Sequence, residues 1–305
     1  MDEGRRGGGD APRVSLGLPV YNATRYVRQA LDAVLAQDFT DFELIISDNG
    51  STDDTWDICT GYAARDPRIR VLRNPTNLGV ARNFNRVVEE ARGELFRWVA
   101  YDDLMAPTLL SACVAELDRS GPGTVIAYPQ TALIDDDGQL VSHYEDDLDI
   151  RNRHPALRVA AAARRWNLLN PLYGVIRTDQ LRRTGLEREH VSGDVPLFME
   201  LAALGEIHEV PEPLFYRRFH EGSSSGNSAA WYTPHKPGTE RFPTLRLAAR
   251  TVRGLAGSDH PLPTRVSLVG AYLAVWSWRR VRVEGGRLKL AARQELRTRR
   301  RRTAG

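Results

Sequence analysis

The 305-residue chain predicts an α/β fold: a single Rossmann-like domain with a mainly parallel, mixed sheet, followed by a helical C-terminal extension. Three observations carry that reading. Short apolar runs at Arg13–Val20, Phe42–Ser47, Ile69–Asn74 and Leu95–Tyr101 alternate with stretches whose apolar residues recur at helical spacing. Each gap leaves room for a crossover helix, and right-handed crossovers produce a parallel, doubly wound sheet. Each run is also followed by a polar loop, and in an open α/β sheet those loops share the edge at which ligands bind.

In RVSLGLPVYN, Val14, Leu16 and Leu18 alternate with Ser15 and Gly17, and Pro19 is expected to stop the ladder. Ala23 to Gln37 carries Tyr26, Val27, Ala30, Leu31, Val34 and Leu35 at helical spacing. FELIIS is the second strand, and Ser51 or Thr52 of DNGSTDDT is expected to cap the helix that follows. IRVLRN is the third strand, and the helix from Val80 to Arg92 puts Phe84, Val87, Val88 and Ala91 on one side. The fourth run, LFRWVAY, has only Arg97 as a polar residue and ends in two adjacent carboxylates, Asp102 and Asp103. Paired anions are not stable inside a strand, so both are expected just past its carboxyl end, facing solvent or a cation. Beyond them the sequence predicts a helix over Leu109–Arg119, the strand TVIAYPQ and a hairpin turn at Asp135–Gly138. Helices over Pro155–Arg165 and Asp194–Leu204 and a strand near LFYRR follow, while Asp146, Asp147 and Asp149 read as solvated turn residues.

Hydrophobic residues at 42% and charged residues at 27% are ordinary for a protein with a buried core. The two cysteines, Cys59 and Cys113, suit a reducing cytoplasm and exclude a disulfide framework or a cysteine metal site. Residues 1–12 read as a disordered leader with no apolar segment, residues 13–228 as the main domain and residues 229–305 as a basic helical extension. From Arg241 onward the chain has 16 Lys or Arg against three acids, a local charge of +13, so with +3 overall the remainder carries −10. An acidic body with a basic tail predicts either an anionic membrane surface as partner or a tail folded back on the body. The uncharged run Val266–Trp278 has 13 residues, and spanning a bilayer takes about 20. The expected location is cytoplasmic, peripheral at the inner face of the membrane. No nucleic-acid recognition motif accompanies the basic charge, so that partner is not expected.

The loops after the four strands deliver Asn22, Asp48, Asn49, Arg82, Asn83, Asp102 and Asp103 to one edge. A carboxylate at Asp48 can accept hydrogen bonds from a base or ribose, and Arg82 can pair with a phosphate. Asp102 and Asp103 can hold a hard divalent cation, Mg²⁺ or Mn²⁺, that bridges to a diphosphate. Together these groups describe a nucleoside diphosphate site.

The ordered series PVYN, DNGSTDDT beginning 29 residues after Pro19, NLGVARN, YDD, and an acidic helix start followed by YRRFH resembles the family 2 glycosyltransferases over about Arg13 to Ser225. The resemblance implies a GT-A fold and inverting transfer of a sugar from a nucleoside diphosphate, UDP by family habit. The acceptor would be a hydroxyl on a saccharide, a lipid-linked carrier or a small molecule. By the same resemblance Pro19, Tyr21, Asn22, Asp48, Arg82 and Asp102 bind the nucleotide, and Asp102 is the main metal ligand. Ala100 stands where the family commonly has a further acid, which keeps Asp103 as a second metal candidate. His220 would complete the metal shell. Asp194 would be the general base, with Gly193 in place of the commoner Glu before it, and Asn170 and Gly174 would belong to an acceptor-side loop. Two other readings remain open: a non-catalytic sugar-nucleotide binder, and a sugar-1-phosphate nucleotidyltransferase. The latter needs a Gly-rich phosphate loop after strand one, and SLGLPVYNATRYV has no glycine cluster there.

Overall fold

All seven residues of β1 (Val14–Val20) are buried, polar Ser15 included, because the strand has neighbours on both edges and apolar clusters on both faces. The computed structural model describes residues 11–189, 192–220 and 243–279. After β1 come α1 (Val27–Leu35), β2 (Phe42–Asp48), α2 (Thr55–Ala63), β3 (Ile69–Arg73), α3 (Val80–Glu89) and β4 (Leu95–Trp98). These strands lie parallel in the order β3-β2-β1-β4, as the alternating pattern predicts. β1 feeds leftward into β2 while β4 lies on its other side, so the strand order reverses between β1 and β4. That is the point at which open sheets bind ligands.

The second half is mixed. It contains β5 (Leu104–Met105), α4 (Leu109–Ser120), β6 (Thr124–Ile134), β7 (Leu140–Tyr144), α5 (Pro155–Arg165), a 3-10 turn (Asn170–Tyr173), β8 (Val175–Arg177), α6 (Thr178–Arg182), α7 (Asp194–Leu204) and β9 (Glu206–Arg218). β8 joins the halves by pairing antiparallel with both β4 and β6, and β9 runs parallel to β6. α8 (Pro243–Ala256) packs on α7, and residues 262–279 form a further helix, α9. Ala248, Leu255, Leu268 and Tyr272 from these two helices are buried in the same cluster as Phe198 and Leu201 of α7. Arg279 donates to Ala163 O at 2.8 Å and stacks on Trp166, which ties the end of α9 to α5. The described part of the basic extension is therefore folded onto the body. Residues 1–10, the HEGSSSGNS loop after His220 and the residues from 280 onward lie outside the described residues.

Four local expectations are corrected. Pro19 does not stop β1, which continues to pair with β2 through Val20. Gly17 O accepts from Val99 N, so alternate residues 17 and 19 face β4, and the β1–β4 ladder has already ended at Gly17. The missing N–H of Pro19 therefore falls where no partner strand remains. β4 is shorter than its apolar run, because after Val99, which still bonds β1, Ala100 and Tyr101 turn away to line a cavity. α2 begins at Thr55, and Asp53 receives the Thr55 N–H at 3.1 Å; Ser51 instead accepts from Asn22 N at 3.0 Å. β9 starts at Glu206, well before LFYRR, since Pro211 sits in a register shift between Val210 and Pro213 where no ladder N–H is required.

Candidate active site

The loops after β1, β2 and β3 are fixed by an amide lattice rather than left free for ligand. Asn83 on α3 donates to Ser47 O at 2.9 Å and accepts from Ser47 Oγ at 2.7 Å and Asn74 Nδ2 at 3.1 Å. Asn49 accepts from Asn74 Nδ2 at 2.9 Å and Leu78 N at 3.0 Å, and its own Nδ2 donates to Asn77 Oδ1 at 2.9 Å. Asn22, at φ 48°, accepts from Thr52 N at 2.9 Å and so links the first loop to the second. Asn tolerates that left-handed backbone better than most residues. The motif asparagines are thus largely committed to one another.

Above this lattice a cleft opens between the ends of β1 and β4. It is walled by Pro19, Val20 and Tyr21 on one side and Trp98, Ala100, Tyr101 and Asp102 on the other. Leu168, Leu172 and Tyr173 form the apolar back, and Glu187, Asp194 and Arg217 reach in from the second half. A mainly apolar cleft with a few convergent charges has the character of a small-molecule site.

Of the residues expected at a nucleotide, Pro19, Tyr21 and Asp102 line this cleft. Asn22, Asp48 and Arg82 are not in its lining. Asp48 is fully buried at the end of β2, where Oδ1 accepts from Ser51 N at 3.1 Å. Its Oδ2 lies 3.3 Å from Arg73 Nε and has no hydrogen-bond partner. Arg82 points outward and pairs with Glu189 at 2.7 Å.

The two adjacent aspartates separate. Asp102 faces the cleft, and its Oδ2 lies 3.0 Å from His220 Nε2. Asp103 is absent from the lining and accepts Arg218 N at 2.8 Å. Desolvation, with the Asp102 carboxylate beside it, pushes Asp103 up to about 7. The paired arginines of YRRFH separate in the same way. Arg218 is buried and clamps the loop after β4, donating to Asp102 O, Asp135 O and Asp136 O and to Gln29 of α1. Arg217, one residue earlier on β9, faces the cleft and donates to Leu168 O at 2.9 Å and to Asn170 Oδ1.

Asn170 is thereby a buried support for Arg217, and its Nδ2 donates to Asp146 Oδ2 at 3.1 Å. Asp146 corrects the expectation of a solvated turn: it is 5% exposed, and burial pushes it up to about 6. Gly174 is required by packing, since a Cβ there would stand 2.5 Å from Ala127 O on β6.

Asp194 lines the cleft at the first turn of α7, where its carboxylate meets its own N–H and that of Val195. Desolvation nonetheless raises it above the usual carboxylate range. Glu187 and Arg217 are cleft residues without a recognisable sequence signal. Glu187 lies in an irregular segment, and nothing in RR distinguishes the inward arginine from the structural one.

The fold implied for Mg²⁺ or Mn²⁺ can be tested on the donors present. Among the described residues no cluster of three or more His, Cys, Asp or Glu could hold a metal. Asp102 and His220 supply two donors at the cleft wall, and a magnesium-like ion takes one or two protein ligands and completes its shell with phosphate oxygens and water. The pair fits such an ion in the presence of a diphosphate.

Comparison with known proteins agrees with this architecture. Over 222 residues the chain is 26% identical to a chondroitin synthase from Escherichia coli, covering 70% of this chain but only 30% of that relative's length. TarS 1-349 of S. aureus in complex with UDP-GlcNAc superposes with a TM-score of 0.64 at 17% identity, covering 86% of this chain and 72% of that one. The mannosyltransferase PcManGT from Pyrobaculum calidifontis, in complex with GDP-Man and Mn²⁺, superposes with a TM-score of 0.54 at 17% identity, covering 87% and 71%. The fold is thus the GT-A architecture. The family model described as "Glycosyl transferase family 2" matches residues 15–166, from the first strand through the Asp102 loop to the end of α5, and the chain belongs to that family.

Proposed function

We propose that the cleft binds a nucleoside diphosphate sugar, a UDP-sugar by preference, and that the protein transfers the sugar to an acceptor hydroxyl with inversion. The observation that carries this reading is the opposition, across one cleft, of Asp102 with His220 and Asp194, with Arg217 also reaching in. In this reading Tyr21 and Pro19 flank the nucleoside, and Asp48, buried beneath and paired with Arg73, would turn its Oδ2 to the base on donor binding. Arg82 can leave Glu189 for a phosphate at little cost, because an exposed ion pair contributes only about 0–1 kcal/mol. Arg217 meets the diphosphate. Asp102 and His220 would hold a Mg²⁺ or Mn²⁺, with Asp103 acting through the loop that carries Asp102. The ion would supply charge neutralisation at the leaving diphosphate.

Asp194 then accepts the acceptor hydroxyl's proton as its oxygen attacks the anomeric carbon, and the bond from that carbon to the diphosphate breaks with its electron pair leaving on phosphate. Tyr173 and Leu172 give the acceptor an apolar wall, behind which Asn170 and Gly174 hold the backbone and Arg217 in place. The preference for UDP is supported by TarS, which carries UDP-GlcNAc. A panel of UDP, dTDP and GDP sugars with Mn²⁺ tests it: the largest rise in melting temperature is expected with a UDP-sugar, and no response to any of them overturns the donor site.

The acceptor side has a second proposed feature. No helix among the described residues is long and apolar enough to cross a membrane. α9 nevertheless exposes Leu262, Val266 and Leu273 on one face, at 66%, 64% and 39%, with no charge between Arg265 and Arg279. We propose that this face rests on an anionic bilayer surface, the charge of the basic C-terminal segment adding to apolar contact. The intact protein is expected to sediment with vesicles containing anionic lipid at low salt, and Val266→Glu to weaken that binding about tenfold. Absence of sedimentation would overturn the proposal.

A further inference from the structure

Glu187 is the cleft carboxyl that the reaction above does not use. It lies on the segment between α6 and α7, which is fixed to α3 at two points. Asn85 clamps the main chain of residue 187, with Nδ2 donating to Glu187 O and Oδ1 accepting from Glu187 N, both at 2.9 Å. Two residues later, Glu189 pairs with Arg82. The Glu187 side chain turns back over Gly193: a Cβ on Gly193 would stand 2.5 Å from Glu187 Oε1 and 2.2 Å from Arg188 O. The position before Asp194 has no side chain, and the Glu187 carboxyl fills the space one would take. Two carboxyl groups, one from the clamped segment and one from α7, therefore face a single apolar cleft.

The charges around Glu187 favour its protonated form. Asp194 lies beside it from α7 and Asp102 lines the same cleft from the loop after β4. Arg188, its neighbour in sequence, turns its guanidinium to Glu200 on α7 at 2.5 Å. Arg217 enters from β9 but is engaged with Leu168 O and Asn170, and Tyr21, Tyr101 and Tyr173 complete the lining without charge. Two like charges in a poorly hydrated cleft resist joint ionisation. Desolvation first, and the Asp194 charge second, hold Glu187 well above the carboxylate range.

We propose that Glu187 is a positioning residue that works as a neutral carboxylic acid beside an ionised Asp194, keeping the pair at one proton so that Asp194 alone is the base. The inference rests on the glycosyl-transfer reading for its role in turnover. The proton count is simple: Glu187 keeps its proton throughout, and Asp194 takes the one released from the acceptor hydroxyl and returns it to solvent after product leaves.

The test compares Glu187→Gln, which mimics the neutral acid, with Glu187→Ala in the intact protein. Glu187→Gln is expected to keep turnover of a UDP-sugar within about threefold at neutral pH, while Glu187→Ala loses about tenfold or more because the cleft wall opens. A loss in Glu187→Gln as large as in Glu187→Ala would overturn the proposal, since it would mean that the charge is needed. Melting temperature against pH gives a readout independent of activity. A carboxyl whose folded pKa lies above its unfolded value favours the fold at low pH, and that contribution is lost as pH rises through the folded pKa. The melting temperature of Glu187→Gln relative to the unmodified protein should therefore climb as pH rises above about 4.5, the unfolded glutamate range. A relative fall over the same range would mean that an ionised Glu187 stabilises the fold, and would sink the proposal even if no donor sugar were ever turned over.

Discussion

Asp194→Asn should lower transfer about a hundred- to ten-thousandfold, the usual contribution of a positioned general base, while donor binding is retained. The substitution is nearly isosteric. The cap position of α7 is Gly193, with no side-chain cap to lose, so Asp194→Asn leaves the start of the helix as it is. What disappears is proton affinity. Because desolvation raises Asp194, the activity of the unmodified protein should fall on the acid side as pH drops through that raised value, and the residual activity of Asp194→Asn should lose this limb. Steady-state rates across pH, with donor-induced thermal shift on the same samples, separate the outcomes. Turnover at the unmodified rate in Asp194→Asn would remove Asp194 from the chemistry. Donor binding with no turnover in the unmodified protein would favour a non-catalytic binder.

Asp102→Asn is expected to weaken Mn²⁺-dependent binding of the donor diphosphate about a hundredfold, because a ligand to the cation and a negative charge are lost together. His220→Ala should follow the same course with a smaller effect, since it removes one ligand and no negative charge and leaves the Asp102 oxygen in place. Chelating the metal should bring the unmodified protein to the level of Asp102→Asn and leave that variant unchanged. Asp103→Ala provides the contrast. Its carboxylate accepts the Arg218 N–H beside the buried Arg218 clamp, so its removal should lower the melting temperature more than it weakens donor affinity. Calorimetric titration of UDP with Mn²⁺, with and without chelator, decides this assignment. Equal affinity losses from the two aspartates would mean that both hold the cation.

The nucleotide half was legible in the sequence because its signals are local. Alternating strands, helical spacing and loop residues all fall within short windows, and the parallel pairing of β1 to β4 follows from them, while their order β3-β2-β1-β4 is seen in the structure. The acidic start of α7 was legible for the same reason. The second half was less so. β8 is three residues long and pairs antiparallel between β4 and β6, a placement that no periodicity over three residues can specify. Asp146 looked like one of several turn aspartates, and only the return of Asn170 and Thr131 from distant positions makes it a buried acceptor. The strand pattern alone does not separate Asp102 from Asp103, and only the resemblance put Asp102 first; in the structure they differ because Arg218, over a hundred residues later, binds Asp103 and His220 binds Asp102. Glu187 gave no signal because what brings it to the cleft is a pair of hydrogen bonds from Asn85 on α3.

The asparagine lattice beneath the first three loops has an evolutionary consequence. Asn74 donates to both Asn49 and Asn83, so a change at Asn74 takes a donor from each of them at once, and the donor floor should tolerate substitution poorly whatever the donor. The segment carrying Glu187 is held by Asn85 on its main chain, by the Arg82–Glu189 pair and by the Arg188–Glu200 pair, three separate contacts of which losing one leaves the others in place. Substitutions should therefore be better tolerated on the segment carrying Glu187 than in the asparagine floor, which leaves that side of the cleft free to change while the floor keeps its form.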